Sequence, residues 1–334
     1  QLTPLGIHLS HIPVDVHIGK MLLFGAIFRC LDPILTIAAM LSYRGPFLTL
    51  FGKESESDAA RNKFKYGDSD LLTMYSAYCQ WKLTYEKHGS GRVLREFCQT
   101  NFLNDQNLRM IEDMKKQFLS LLVNIGFVQV HENMKAELGR QVFLIFFIKF
   151  GPKTMCRVPV VYDANSSSTH IINAVIAAGL YPRVIHRDSK KNQFDTMTGH
   201  ELRQVFIHPS SINFPLQSAN ASSLGKDWFV YNTMMQTNKL YVRETSLVEV
   251  VDLVLFGREV GVKHEIRILS IDKWIRLQCP AKTATLLKYL RGQLNKILKY
   301  KIDRPEAELD GEQQGWLDLI LEVLESCEET NWKA

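Results

Sequence analysis

The sequence predicts an α+β protein: a helical N-terminal part, then a small antiparallel β-barrel, then C-terminal helices. Three observations carry this. Residues 1 to about 130 hold helix-length apolar segments that begin at capping residues. Residues 181 to about 279 break into six strand-length runs separated by Gly, Asn, Ser and Asp. Residues 281 to 334 divide into a basic and an acidic stretch, the first with leucines at helical spacing.

In the helical part, Val16 to Phe28 and Ile34 to Tyr43 are apolar and of helix length. They belong to the run "MLLFGAIFRCLDPILTIAAML", whose Arg29, Asp32 and Pro33 would be costly inside a bilayer. Two buried helices broken at Asp32-Pro33 are expected instead, and no membrane span. The charged stretch "GKESESDAARNKFKYGD" is a loop or a frayed helix. Asp68 or Ser69 can cap a helix through "DLLTMYSAYCQWK", with Leu71, Tyr75 and Tyr78 three and four apart. Asn104 or Asp105 can cap the next, whose apolar face is Leu108, Ile111, Phe118 and Leu122, with Gly126 as its stop.

From Val128 to Tyr162 the pattern is irregular, and the β-prone "QVFLIFFIKF" suggests an insertion or a hairpin. "DANSSSTHIINAVIAAGLYPRV" predicts a capped helix ending at Gly179, with Pro182 beyond it. The six runs of the barrel region are "RQVFIHP", "DWFVYNTMM", "LYVRETSLV", "VVDLVLFG", "EIRILSI" and "WIRLQCP". In the tail, Ala281 to Ile302 carries five lysines and Arg291 with no acid, while nine acids follow Pro305. Two surface helices are expected there, the first packing through Leu287, Leu290, Leu294 and Ile297. A basic face turned to RNA is the other reading of the first helix.

At 334 residues the chain can build two or three domains with substantial cores. Its net charge of +5 permits an anionic partner without demanding one. The six cysteines are scattered with no C-x-x-C pair, so reduced, mostly buried thiols in a cytosolic or nuclear compartment are expected. The opening "QLTPLGIHLSHIPVD" has the look of the middle of a longer chain.

No catalytic constellation emerges. A P-loop needs glycines whose amides cradle phosphate and a hydroxyl for magnesium. Before Gly19-Lys20, Val14 stands in the first glycine's place, and Met21 replaces the hydroxyl. "HGSGR" puts His88 where a nucleophile elbow needs glycine. His8 and His11 have neither H-E-x-x-H order nor a cysteine pair to hold zinc.

Read together, several stretches resemble the C-terminal region of DEAH-box (DEAH/RHA-type) RNA helicases. "LTPLGIHLSHIPVDVHIGKMLLFGAIFRCLDPILTIAAMLSYRGPF" is similar to the end of the winged helix running into the helical ratchet (HA2) domain. "SDLLTMYSAYCQW" and "FCQTNFLNDQNL" resemble later parts of that ratchet domain. "AGLYPRV", "IHPSSINF", "KLYVRETSLV" and the "LVLFG" strand resemble successive parts of the oligonucleotide-binding (OB) barrel. The resemblance covers nearly the whole chain except residues 128–162. It implies winged-helix end and ratchet start over 1–48, ratchet domain over 49–130, and insertion and connecting helix over 131–180. The OB-fold then covers 181–280 and a helical tail 281–334. "DLLTMYSAYCQW", "VRETSLV" and the tail are most similar to the translation-initiation branch, which implies a cytoplasmic setting, with the nucleus as the other option.

The resemblance also implies a role: gripping single-stranded RNA while ATP-driven domains elsewhere in the parent chain step 3′ to 5′. ATP and magnesium would belong to those domains, and this chain would hold no cofactor or metal. In the resembled barrel an H-P-S-S corner, a threonine before the next strand and a basic residue on it line the RNA path. The matching positions here are His208, Ser211, Thr237 and Arg243, with Lys239 beside them. An imidazole can stack on a base and hydroxyls can donate to phosphate. Lys115 stands where the ratchet helix often carries arginine, keeping the charge but losing the planar fork. Each has a plainer reading: His208 as a loop cap, Thr237 as a hairpin end, Arg243 as a partner of Glu244. The alternative function is a non-catalytic scaffold that docks the small ribosomal subunit or a protein cofactor.

Overall fold

The computed structural model describes residues 2–132, 134–136, 138, 155–188, 191, 193–217, 227–263, 265 and 267–326. Helix α1 (Pro4–Ser10) leads into α2 (Val16–Ile27) and α3 (Leu31–Ser42), both apolar on most sides and buried accordingly. The break between α2 and α3 falls at Phe28 to Cys30, earlier than the predicted Asp32-Pro33. Arg29 takes a left-handed φ of 57° there. Pro33 sits in the first turn of α3, where its missing N–H leaves no bond unmade. Asn165 closes the break from outside, donating to the carbonyls of Phe28 (2.9 Å) and Arg29 (2.8 Å). Asp163 accepts the Asp32 N–H at 2.9 Å.

The charged stretch that followed is a short helix, α4 (Glu54–Asn62), held by buried Ser57 and Ala60. Ser69 caps α5 (Asp70–His88), and α6 (Arg92–Thr100) follows. Asn104 caps α7 (Asp105–Asn124), and Gly126 beyond it takes the expected left-handed φ of 81°. Helix α8 (Thr169–Leu180) starts at Ser168 and runs one residue past the predicted end. Gly179 serves packing, not termination. A Cβ there would lie 2.7 Å from the Met21 Cβ on α2.

A closed five-stranded barrel follows, in the order β1-β2-β3-β5-β4. Its strands are β1 (Val184–Asp188), β2 (Gln193–Thr198), β3 (Glu201–Ile207), β4 (Trp228–Gln236) and β5 (Leu240–Leu247). The β3–β5 contact is parallel and the rest antiparallel. Ile185, Phe194, Val205, Ile207, Phe229, Tyr231 and Val242 fill it as a core of their own. The barrel is therefore present, with different membership from the prediction. β1 and β2 are polar on one face and short, so the apolar runs did not expose them. "VVDLVLFG" is not a strand but helix α9 (Val250–Phe256), buried on every side. A fully buried run carries no period to separate helix from strand. What decides it is a capping box, with Glu249 and Asp252 each accepting the other's backbone N–H. "EIRILSI" and "WIRLQCP" supply β7 (Ile268–Ile271) and β8 (Ile275–Gln278), which with β6 (Val260–Lys263) form a separate three-stranded sheet.

The tail is two helices, α10 (Ala281–Asp303) and α11 (Gly311–Glu325), and Leu287, Leu290, Leu294 and Ile297 are buried as their spacing required. The predicted insertion at "QVFLIFFIKF" lies outside the described residues. Among the described residues no helix is long and apolar enough to cross a membrane. None of their His, Cys, Asp or Glu groups gathers in threes to hold a metal.

Candidate nucleic-acid interface

Strand β3 ends at Ile207, and its parallel pairing with β5 brings the next residue, His208, beside Arg243. The His208 N–H donates to the Val242 carbonyl at 2.9 Å, and Ser211 N–H closes the turn onto the His208 carbonyl at 2.9 Å. Pro209 fits the position where a turn wants φ preset. The imidazole caps this turn: Nδ1 accepts the Ser210 N–H at 3.1 Å and lies 2.8 Å from the Ser210 hydroxyl. That leaves the proton on Nε2, which no described residue accepts. Burial, the Arg243 cation and, more weakly, Arg61 hold the ring's pKa below its ordinary value against an opposing pull from Glu244.

Ser211 turns inward instead of toward solvent. Its hydroxyl donates to Asp70 Oδ2 at 2.6 Å and lies 3.0 Å from the Thr245 hydroxyl. Asp70, the first residue of α5, also accepts the N–H groups of Ile212 (2.9 Å) and Thr245 (2.8 Å). Asn213 adds bonds to the Asp68 carbonyl and the Thr245 hydroxyl, and Ser69 meets Ser246 at 2.6 Å. Burial is the largest influence on Asp70 and pushes its carboxyl above the usual range, while these donors pull it down. The start of α5 is thereby bolted to the barrel. Ser211 belongs to that bolt.

Beside the bolt, the helical domain and the barrel leave an open cleft of about 400 Å³. Arg44 and Arg61 line it from the helical side and Asn232, Thr233, Arg243 and Glu244 from the barrel. Arg61 lies over the Phe47 ring, 5.2 Å from its centroid, and donates to the Ser210 carbonyl. Neither Arg44 nor Arg243 forms an ion pair among the described residues. Glu244 is taken, since its carboxylate accepts from Thr233 Oγ1 (2.9 Å) and Asn232 Nδ2 (3.3 Å). It sits at a left-handed φ of 52°, where the β4–β5 pairing skips the Asn232–Glu244 pair. The Arg243 Nε is buried without a hydrogen-bond partner. Asn232 and Thr233 also line a second groove of about 450 Å³ that continues along β4 to Arg183 and Met234.

Thr237 and Lys239 sit at the exposed tip of the β4–β5 hairpin, four residues from the cleft, or roughly 13 Å along a strand. Thr237 closes the turn, donating its N–H to the Lys239 carbonyl at 2.9 Å. Lys239 Nζ rests 4.2 Å from the Phe206 ring centroid. Lys115 is elsewhere altogether. It is fully buried, with Nζ 2.9 Å from Asp32 Oδ1 and 3.1 Å from the Tyr78 hydroxyl. Burial opposes its charge, but Asp32 foremost holds its pKa well above the ordinary value. This ammonium fastens α7 to α3 and cannot reach a ligand.

The structure thus brings His208 and Arg243 together, sets Thr237 and Lys239 on the same hairpin, and withdraws Ser211 and Lys115 into the interior. Arg44 and Arg61 were missed by sequence reasoning. Arg61 lies in a stretch of mixed charge that looks like any solvated face, and Arg44 follows α3 with no periodic signal.

Residues 15–74 match the ratchet-like helicase-associated domain (HA2). Residues 172–260 match the oligonucleotide/oligosaccharide-binding fold, and residues 267–326 match the C-terminal domain in RNA helicases. The mouse ATP-dependent RNA helicase DHX29 is 34% identical over 331 residues, 98% of this chain and 22% of its own length. The bovine ATP-dependent DNA/RNA helicase DHX36 is 34% identical over 91% of this chain and 28% of its own. The Arabidopsis thaliana DExH-box ATP-dependent RNA helicase DExH1 is 34% identical over 98% of this chain and 29% of its own. The chain therefore spans less than a third of the length of the curated relatives it matches.

Proposed function

Since the chain carries, in order, the ratchet-like, OB-fold and C-terminal domains of the DEAH-box RNA helicases, we propose that it grips single-stranded RNA in the arginine cleft. The observation that supports this is Arg44, Arg61 and Arg243 converging on one open cleft, two of them without a carboxylate partner. Guanidinium forks match phosphate oxygens in pairs, and a groove that tracks a backbone binds single strands with little base preference. His208 would add its Nε2–H, and the hairpin tip at Thr237 and Lys239 would extend the path.

In this reading ATP and magnesium are held by the rest of the protein, which drives 3′-to-5′ stepping while the cleft keeps hold. The finer setting, cytoplasmic RNA engaged in translation, is part of the same proposal and rests on the wording of "DLLTMYSAYCQW" and "VRETSLV". Docking of the small ribosomal subunit or a protein cofactor would draw on the charge-segregated tail helices instead of the cleft.

Fluorescence anisotropy of a labelled oligouridine at rising salt tests the reading. Affinity should fall linearly on a log–log plot as counterions are released, and Arg44→Ala should lower that slope by ~1 for one lost phosphate contact. Binding that ignores salt, prefers duplex, or is unchanged in Arg44→Ala would refute it.

A further inference from the structure

Helix α10 divides its cations into two kinds. Lys301 and Arg291 are committed to backbone. Lys301 Nζ donates to the carbonyls of Pro305 (2.7 Å) and Ala307 (2.8 Å), and Arg291 to those of Val254 (2.7 Å) and Arg258 (2.7 Å). The other four, Lys282, Lys288, Lys296 and Lys299, are all exposed and form no ion pair or hydrogen bond among the described residues. Lys282, Thr285, Lys288, Gly292, Lys296 and Lys299 follow one another at spacings of three and four, so they share one face of the helix. That face lies opposite the buried Leu287, Leu290, Leu294 and Ile297.

The stripe runs ~26 Å along the axis at the helical rise per residue. Between Ala281 and Ile302 no acid interrupts it. Asp303, one turn past Lys299, pairs with none of its lysines among the described residues. On the neighbouring α11, Glu312 accepts from Trp316 Nε1 (3.4 Å) and Asp318 from Gln314 Nε2 (2.6 Å), and no acid of that helix pairs with the stripe. Lys296 and Lys299 stand one turn apart, where like charges repel unless something neutralises them. A Cβ added at Gly292 would meet nothing within 4 Å, so the middle of the stripe is open to close approach.

We propose that this face is a second RNA site, one that takes the phosphate backbone of duplex RNA. Ammonium groups on long stems act as point charges toward phosphate. The stripe has no apolar residue to anchor a protein, and lysine is scarce at the core of protein interfaces. Beside it only Leu286 and Tyr289 are largely exposed, too little apolar area to enter a lipid surface. A straight convex rod has no walls to hold an unstacked strand. A duplex presents its phosphates in fixed rows and is recognised mostly by shape and backbone. The inference stands apart from the single-strand reading, because no residue of α10 lines the arginine cleft.

Fluorescence anisotropy with a labelled blunt RNA duplex of about 16 base pairs tests the site. The duplex should bind more weakly than oligouridine, with an affinity that falls as salt rises. Changing Lys288 and Lys296 together to Gln should lower the duplex salt slope by ~2, one for each lost phosphate contact, and leave oligouridine binding as it was. Arg44→Ala should do the reverse. Gly292→Glu should weaken duplex binding more than Gly292→Gln, which has the same size without the charge. Glutamine is a good helix former, so these exposed changes keep the helix, and circular dichroism checks it. No duplex binding, a duplex slope unchanged in the double variant, an equal loss for oligouridine, or equal effects of Gly292→Glu and Gly292→Gln would each overturn the proposal. Polyglutamate binding this face more tightly than the duplex would overturn it in favour of an acidic protein.

Discussion

Two polar clusters share the boundary between the helical domain and the barrel, and they are built on opposite terms. Around Asp70 the carboxylate is filled: it receives the Ser211 hydroxyl and the Ile212 and Thr245 N–H groups, and the Asn213 amide donor and Ser246 extend the seam, with Asn213 Oδ1 its one buried atom without a partner. Around Arg243 the cluster stays open, with Arg44 and Arg243 unpaired beside a cleft of about 400 Å³. A buried polar group left unmatched costs ~1–3 kcal/mol, so a closed cluster is a fastener. The open cluster carries one such unmatched atom, the buried Arg243 Nε, and its surplus cations attract an anion from outside. The same boundary therefore holds the domains together at one end and, in the proposed reading, grips RNA at the other.

The largest test of this contrast comes from a closed cluster in the helical core. Lys115→Ala leaves Asp32 and Glu112 without their cation and should cost about 3–5 kcal/mol of stability, as broken buried pairs do. Urea unfolding followed by circular dichroism measures it. The salt slope of RNA binding should not change, because Lys115 touches no open surface. A lower slope with intact stability would reverse the assignment.

Asp70→Ala comes next. It strands several donors at the bolt at once and should cost about 2–4 kcal/mol. Asp70→Asn retains one acceptor and should recover part of this. RNA affinity measured well below the melting temperature should keep its salt slope, since no phosphate contact is lost. If Asp70→Ala left the melting temperature in place, the bolt would be a misreading.

Arg243→Ala should behave in the opposite sense. Its Nε is buried and bonds to nothing in the protein, so the substitution should not lower stability, and relief of the unmatched donor should raise it by at most ~1–3 kcal/mol. Oligouridine affinity should weaken by about 1–2 kcal/mol at low salt, and the slope should fall by ~1. Arg243→Lys keeps the charge without the fork and should restore the slope more fully than the affinity. Equal loss in both variants would point to shape, not charge.

Much of this fold was legible because caps are local. Ser69 and Asn104, each one of two caps the sequence offered, begin their helices, the capped helix of "DANSSSTHIINAVIAAGL" starts at Ser168, and the leucines of α10 pack as spaced. What failed was whatever tertiary contact decides. The α9 run is buried all round, so its period vanished, and β1 and β2 owe their place to barrel closure. The site divided along the same line. Family order pointed to His208 and Arg243, which do meet, but burial is invisible in a motif. Ser211 and Lys115 look no different in sequence from residues that face solvent. Arg61 became part of the cleft only because α4 lies against the 208–211 turn, an arrangement with no local signature.

His208 lies between the two kinds of cluster and should give the smallest effect. Its Nδ1 is committed to the turn, and its Nε2–H meets no acceptor among the described residues. His208→Ala should cost about 0.5–1.5 kcal/mol at neutral pH through the lost cap, and weaken oligouridine binding less than Arg243→Ala does. The sign with pH separates the cap from the contact. The folded-state pKa of His208 is depressed, so its contribution is complete above the ordinary histidine value of about 6.5 and is lost as pH falls through the folded value. Protonation puts a hydrogen on Nδ1, where the Ser210 N–H already points. The stability gap between the protein and His208→Ala should therefore narrow on acidification, read from urea midpoints on either side of that pH. His17 and His186, also depressed by burial, titrate in both proteins and cancel in the difference. A gap that widens instead would mean that the imidazolium, not the neutral ring, is the form the turn holds.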